Sequence, residues 1–151
     1  MIIDKNDIKV DGKNLKICIV LPYFNDSLGL ELLENAKEEL IANNVLSNNI
    51  KVFRVAGALE IPFACQKIIK QNTPHAVVTL GVIIKGETDH YDLVAKNTYR
   101  GIMEVQLKTG VPISFGVLAC NNLEQAKQRV SKEGLNKGKY AVQAALTQSL
   151  L

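Results

Sequence analysis

The stretch AVVTLGVII at residues 76–84, followed at once by KGETDH at 85–90, decides how this chain folds. A short, continuous apolar run rich in β-branched residues is a strand buried on both faces. The run after it changes character abruptly, to charge, glycine and histidine. Working outward, LKICIVL at 15–21 is a second such strand, Lys51–Val55 a third, and Ile113–Leu118, opened by Pro112, a fourth. Between them lie segments of helical spacing. Leu28, Leu32, Leu33, Ala36, Leu40 and Ile41 form an apolar stripe that Asp26 or Ser27 is expected to cap and Asn43 and Asn44 to end. A helix is expected from Glu60 to Gln71, with Pro62 in its first turn. Another runs from the Asp89/Asp92 pair, read as a capping arrangement, to Lys108 before Gly110. A helix from Asn122 to Glu133 and a last one over Lys139–Leu150 complete the chain.

Four strand–helix units and one extra helix mean a parallel sheet covered on both faces: an α/β, three-layer sandwich around a four-stranded sheet. Residues 15–151 form one domain. Residues 1–14 stand outside it as a polar segment in which Ile8 and Val10 alternate like an orphan edge strand. The length of 151 residues suffices to bury a core without disulfides or metals. Apolar residues at 47% and charged residues at 22% argue against disorder. A net charge of +3, few aromatic residues and no Trp give no footprint for nucleic acid. The N-terminus lacks the apolar core of a signal peptide, and no run approaches the ~18 apolar residues of a membrane span. Cys18, Cys65 and Cys120 form no Cys-x-x-Cys pair, which fits reduced thiols in a cytoplasmic chain.

Ligands of parallel α/β sheets bind beyond the carboxyl ends of the strands. That selects four loops: Pro22–Asp26, Ala56–Glu60, Lys85–His90 and Ala119–Asn122. In the third, Gly86 is expected to supply a backbone conformation closed to other residues. Thr88 precedes a helix N-terminus, whose amides favour a phosphate or carboxylate. His90 sits in the first helical turn, where the dipole favours a neutral imidazole able to accept a proton. The loop is thus either an anion site beside a general base or a plain surface turn with a solvated histidine. It is no Walker A loop. His75, at the opposite end of its strand, reads as a surface histidine, and no spacing supplies converging metal ligands. Glu60 after Gly57 and Ala58 is either a ligand-binding carboxylate or a helix cap. Phe24 is either a ring that stacks on a heterocycle or one packed over the sheet end. Arg129 and Lys137 read, on pattern alone, as solvated charges.

Together these segments resemble the 6,7-dimethyl-8-ribityllumazine synthases, penultimate enzymes of riboflavin biosynthesis. The resemblance is carried by Tyr23-Phe24-Asn25, the run from Val55 to Pro62, the run from Leu80 to Tyr91, Pro112 to Leu118, Glu124-Gln125-Ala126 with Arg129, and Asn136-Lys137-Gly138. It implies a flavodoxin-like topology and a transferase that condenses 5-amino-6-(D-ribitylamino)uracil with L-3,4-dihydroxy-2-butanone 4-phosphate, releasing phosphate and water. It implies Phe24 stacked on the pyrimidine, with Gly57, Ala58 and Glu60 along the ribityl chain. Val82, Ile83 and Ile84 would border the pyrimidine with backbone hydrogen bonds. Gly86, Glu87, Thr88 and Arg129 would hold the phosphate, and His90 would transfer protons. Phe115 and Lys137 would arrive from a neighbouring subunit. No cofactor and no metal are implied. The resemblance also implies homopentamers in which residues 1–14 add a strand to a neighbour's sheet. Riboflavin synthase is an expected partner. Assembly of twelve pentamers into an icosahedral capsid is the favoured but open extension: the chain lacks the insertion of pentamer-only relatives, yet VSKEGLNK at 130–137 starts less glycine-rich than in shell-forming ones.

The chain departs from the pattern where Pro22 and Tyr23 stand, since Tyr23 removes a common rim cation, and at Ala119, where Thr is frequent. Rival readings are an archaeal-type riboflavin synthase, a non-catalytic flavin or lumazine carrier, and a receiver-type signalling domain. The last lacks its acidic cluster, because Pro22-Tyr23-Phe24 ends the first strand.

Overall fold

The computed structural model describes residues 8–151. Strands β1 (Ile17–Pro22), β2 (Ile50–Val55), β3 (Ala76–Ile84) and β4 (Ile113–Cys120) alternate with helices α1 (Asp26–Ala42), α2 (Ile61–Asn72) and α3 (His90–Thr109). Helices α4 (Leu123–Val130) and α5 (Lys137–Ser149) follow β4. The sheet is parallel throughout, in the order β2-β1-β3-β4. The expected central strand is central, with the residue range read from the sequence.

Strand alternation divides the interior into two cores. Ile17, Ile19 and Leu21 of β1, with Val78, Leu80 and Val82 of β3, pack under α1, α4 and α5. Cys18, Val20, Val77 and Ile83 point the other way, under α2 and α3. Residues two apart share a face of a strand, so fully apolar strands need cover on both sides. Three layers are the result.

The topology also opens a crevice. From β1 the chain moves outward to β2, then returns to the other side of β1 to lay down β3. This reversal is the switch point at which open parallel sheets bind ligands. A proline widens it. The β1–β2 ladder runs on to Pro22↔Val55, but the β1–β3 ladder ends at Val20↔Thr79. Tyr23 N–H donates to Val55 O on β2 at 2.8 Å. By alternation the next donor toward β3 belongs to residue 22, and proline has none. Beyond Thr79, β3 continues with β4 on one edge only, as far as Ile84↔Cys120.

Several local expectations are corrected. Neither Asp26 nor Ser27 caps α1: Asn25 holds the N-cap position in a left-handed conformation, φ 55° and ψ 47°, and Asp26 lies in the first turn. Asp89 occupies the α3 N-cap position, but its side chain makes no cap hydrogen bond among the described residues. Gly86 does not have a positive φ, whereas Gly110 at the end of α3 does, at 69°. Helix α4 stops at Val130, earlier than expected, because Ser131 turns extended and Leu135 N–H returns to Gln128 O at 2.9 Å. Helix α5 starts earlier, at Lys137. Asn136 takes a left-handed φ of 44°, and its side chain accepts from Lys139 N–H. Gly138 then touches α1, where a Cβ would lie 2.6 Å from Leu32 O. Ile8–Val10 forms no strand within this chain. Instead Val10 N–H donates to Asn43 Oδ1 at 2.8 Å and Gly12 N–H to Asn43 O at 2.6 Å. The earlier part of the N-terminal segment lies outside the described residues.

Candidate active site

Three of the four carboxyl-end loops meet around a pocket of about 350 Å³ at the β1/β3 switch point. The fourth, Ala119–Asn122, does not line it. Each wall follows from local sequence. The loop after β1 carries Phe24, 71% exposed, so its ring is not packed over the sheet and is free to cover a ligand. Asn25 Nδ2 donates to Val82 O at 2.8 Å and ties this loop to the uncovered edge of β3. Val82, Ile83 and Ile84 form the pocket's floor.

The loop after β2 supplies Gly57, Ala58, Leu59 and Glu60, the last three in a single 3-10 turn. Gly57 is extended, at φ −148° and ψ −175°, so its glycine is not required by backbone strain. What it provides is space: a Cβ there would stand 3.1 Å from Glu60 Oε2. Glu60 occupies the α2 N-cap position but makes no side-chain cap bond. The missing cap bond decides against the capping alternative, and Glu60 lines the pocket instead.

The loop after β3 brings Gly86, Thr88 and His90 to the same pocket, with Tyr91 and Val94 from the first turns of α3. A Cβ on Gly86 would meet nothing within 4 Å. Gly86 therefore contributes clearance, not conformation. Thr88 Oγ1 accepts from His90 N–H at 3.4 Å, so the hydroxyl folds back over the helix start. His90 is exposed at the mouth. Partial burial, with smaller contributions from Cys120 and Asp92, raises the Tyr91 phenol above its ordinary range. Tyr91 is therefore neutral at physiological pH.

The remaining expected residues stand apart. Glu87 is exposed in the loop but is not part of the pocket wall. Phe115 and Lys137 line a second groove of about 420 Å³ between α3, β4 and α5, which shares no residue with the first. Tyr99, outside that groove's lining, meets Phe115 edge-on, ring centres 6.0 Å apart, and its hydroxyl donates to Val117 O at 2.6 Å. Lys137 Nζ lies 5.7 Å from the centre of the Tyr140 ring. Arg129 lines neither cavity: it is half-buried, with Nη1 donating to Gln125 O at 3.2 Å. Burial raises the nearby Cys120 thiol, and the Arg129 charge offsets part of that rise. His75, expected on the surface, is exposed, yet its Nδ1 accepts from Lys16 N–H at 2.9 Å.

Sequence reasoning selected the loops that carry Pro22 and Leu59 but gave those residues no role, and it missed Tyr91 and Val94 in the wall. Only Pro22 carried a readable signal, as a residue without an N–H at the end of a strand. Among the described residues, no group of three or more His, Cys, Asp or Glu side chains is placed to hold a metal, and no helix is long and apolar enough to cross a membrane.

A parallel, doubly wound α/β sheet with a concave site at its switch point defines a small-molecule-binding protein of the open α/β class. Within that class, residues 14–151 match the family model described as 6,7-dimethyl-8-ribityllumazine synthase. The match takes in nearly the whole chain, which belongs to this family. It is a transferase of riboflavin biosynthesis with lumazine synthase activity.

Proposed function

We propose that the chain condenses 5-amino-6-(D-ribitylamino)uracil with L-3,4-dihydroxy-2-butanone 4-phosphate to form 6,7-dimethyl-8-ribityllumazine, releasing phosphate and water. The observation that carries this reading is the convergence of Phe24, Glu60, the free edge of β3 and the Gly86–His90 loop on one pocket. Each wall suits a different part of the substrates. An exposed ring stacks on a planar pyrimidine. The strand edge left open by Pro22 offers backbone groups to the pyrimidine's amides. The Glu60 carboxylate, with Gly57 and Ala58, accepts hydrogen bonds from ribityl hydroxyls. Gly86 leaves room for a phosphate at the α3 start, where Thr88 and helix amides favour an anion, and Glu87 borders that end. His90 at the mouth moves protons as the amine attacks the ketone, the imine forms and phosphate departs by elimination. Ring closure with loss of water completes the product. Holding two substrates side by side supplies much of the rate.

The same reading makes the assembly the catalytic unit. Phe115 and Lys137 lie in a groove of their own and act on a neighbour's pocket, within a homopentamer. Arg129 lines neither cavity of its own chain, which supports a phosphate contact made across a subunit boundary. Residues 1–14 add a strand to a neighbour's sheet, along an edge strand, β2, that is only half-buried in the single chain. Twelve such pentamers closing into a shell, residence in the cytoplasm and riboflavin synthase as a partner belong to this proposal.

The test is a two-substrate assay. The purified protein should form the lumazine chromophore from both substrates without added metal. Absence of turnover with both present would overturn the assignment. Native mass measurement separates pentamers from a closed shell.

A further inference from the structure

Arg54 has no part in the chemistry proposed above, yet it binds the loop that carries Phe24. It stands on β2, one residue before the strand ends. Its Nε donates to Leu21 O at 3.1 Å and its Nη2 to Pro22 O at 3.2 Å. Nη2 also pairs with the Asp26 carboxylate. The guanidinium carbon lies 4.1 Å from the centre of the Tyr23 ring. These partners, at 21, 22, 23 and 26, flank Phe24 on both sides in sequence.

The Phe24 ring is 71% exposed, so little of the domain holds it directly. Its direction is inherited from its neighbours. Asn25 is fastened to Val82 O, and Tyr23 is fastened to Arg54. A guanidinium suits the second task because its planar fork serves adjacent carbonyls and a carboxylate while its face lies on an aromatic ring. Tyr23 also gains a purpose. Its ring is the surface on which the Arg54 guanidinium lies.

We propose that Arg54 is a positioning residue for the pyrimidine subsite: with Tyr23 and Asp26 it clasps the β1–α1 loop so that Phe24 is set for stacking before substrate arrives. This rests on the stacking role proposed for Phe24. Ordering a loop before binding removes a cost otherwise taken from affinity. The effect therefore falls on capture of the pyrimidine and spares the phosphate-bearing substrate.

Steady-state kinetics on the intact enzyme test this. Arg54→Met should raise KM for the aminouracil by roughly threefold to tenfold, the scale of losing one pre-ordered side chain. Both kcat and KM for the phosphate-bearing substrate should stay within about twofold, as expected when only ground-state binding is lost. Arg54→Lys should restore part of the loss, because an ammonium still reaches Asp26 but cannot fork across two carbonyls. Adding Arg54→Met to Phe24→Ala should raise KM no further than Phe24→Ala alone, since there is no ring left to position. If Phe24→Ala raises KM but Arg54→Met does not, the clasp is refuted and the site reading stands. If Phe24→Ala leaves KM unchanged, the stacking reading fails and takes the clasp with it. A fall in kcat with both KM values disturbed marks a merely structural residue and also overturns the proposal. Should Arg54→Met not fold, Tyr23→Leu, which alters an exposed ring, carries the same test: an unchanged aminouracil KM refutes the clasp.

Discussion

Replacing Asn25 with alanine removes two supports of the Phe24 loop at once, and replacing it with glycine removes one. Asn25 sits at φ 55° and ψ 47°, and its Nδ2 donates to Val82 O at 2.8 Å. A Cβ in the left-handed region costs roughly 1–2 kcal/mol, a cost asparagine offsets by local hydrogen bonding. The lost hydrogen bond is worth about 0.5–1.5 kcal/mol. Asn25→Ala should therefore destabilise by roughly 1.5–3.5 kcal/mol. Asn25→Gly loses the bond and gains unfolded-state entropy worth about 0.5–1 kcal/mol, but it is unstrained. Alanine should then be the worse residue, by on the order of 0.5–1 kcal/mol. In an ordinary helical position the sign is reversed, with alanine better than glycine. Urea denaturation of both variants at one protein concentration reads the difference, since assembly makes stability concentration-dependent. Equal midpoints, or alanine above glycine, would refute the claim that backbone geometry at residue 25 holds this loop.

Other substitutions separate chemistry from architecture. His90→Ala should slow turnover by roughly tenfold to a thousandfold, the range of general acid–base assistance; an unchanged kcat would remove His90 from proton transfer. Arg129→Ala should act mainly on KM for the phosphate-bearing substrate, and an unchanged value would exclude Arg129 from phosphate binding. Two glycines make a contrasting pair. Gly86→Ala meets no atom within 4 Å and should leave the denaturation midpoint nearly unmoved. Gly116→Ala would place a Cβ 2.6 Å from both Leu80 Cδ2 and Thr79 O, an overpacking expected to cost about 1–3 kcal/mol. The Cys65 thiol, buried and close to Cys18, is pushed up from 9.0 to about 12. Between those values the unfolded chain has lost a proton that the folded one retains, so stability should be intact below pH 9 and fall as pH rises toward 12. Cys65→Val should flatten that decline in denaturation curves at alkaline pH; an unchanged slope would show that Cys65 does not carry it.

The candidate site was legible in the sequence where the chemistry is local. Gly86 to His90 could be selected because one loop holds them between a strand and a helix. Glu60 and Phe24 were legible as candidates, but each had a second reading that only burial and hydrogen bonding could remove. Gly86 shows the opposite case: a glycine in a loop suggests a special φ, and the structure shows ordinary backbone with open space beside it. Asp26 is similar. It has the residue type of a cap, but the Arg54 guanidinium, far along the chain on the adjacent strand β2, takes its carboxylate.

What the sequence alone determined is the set of layers and the end of the sheet where ligands bind. Apolar runs of strand length alternating with helical stripes leave a parallel, doubly covered sheet as the way to bury every apolar face, and that reading needs only residues close along the chain. Tertiary structure decided how the pocket is closed. The β1–β3 ladder stops where Pro22 lacks a donor, Asn25 reaches across 57 positions of chain to Val82, and Arg54 reaches back 28 to Asp26. Those partners are set by strand order and register, which depend on the packing of the whole domain and leave no periodic trace in the sequence. The loop at 85–90 was visible from the start, but the ring, carboxylate and strand edge that face it became neighbours only through the fold.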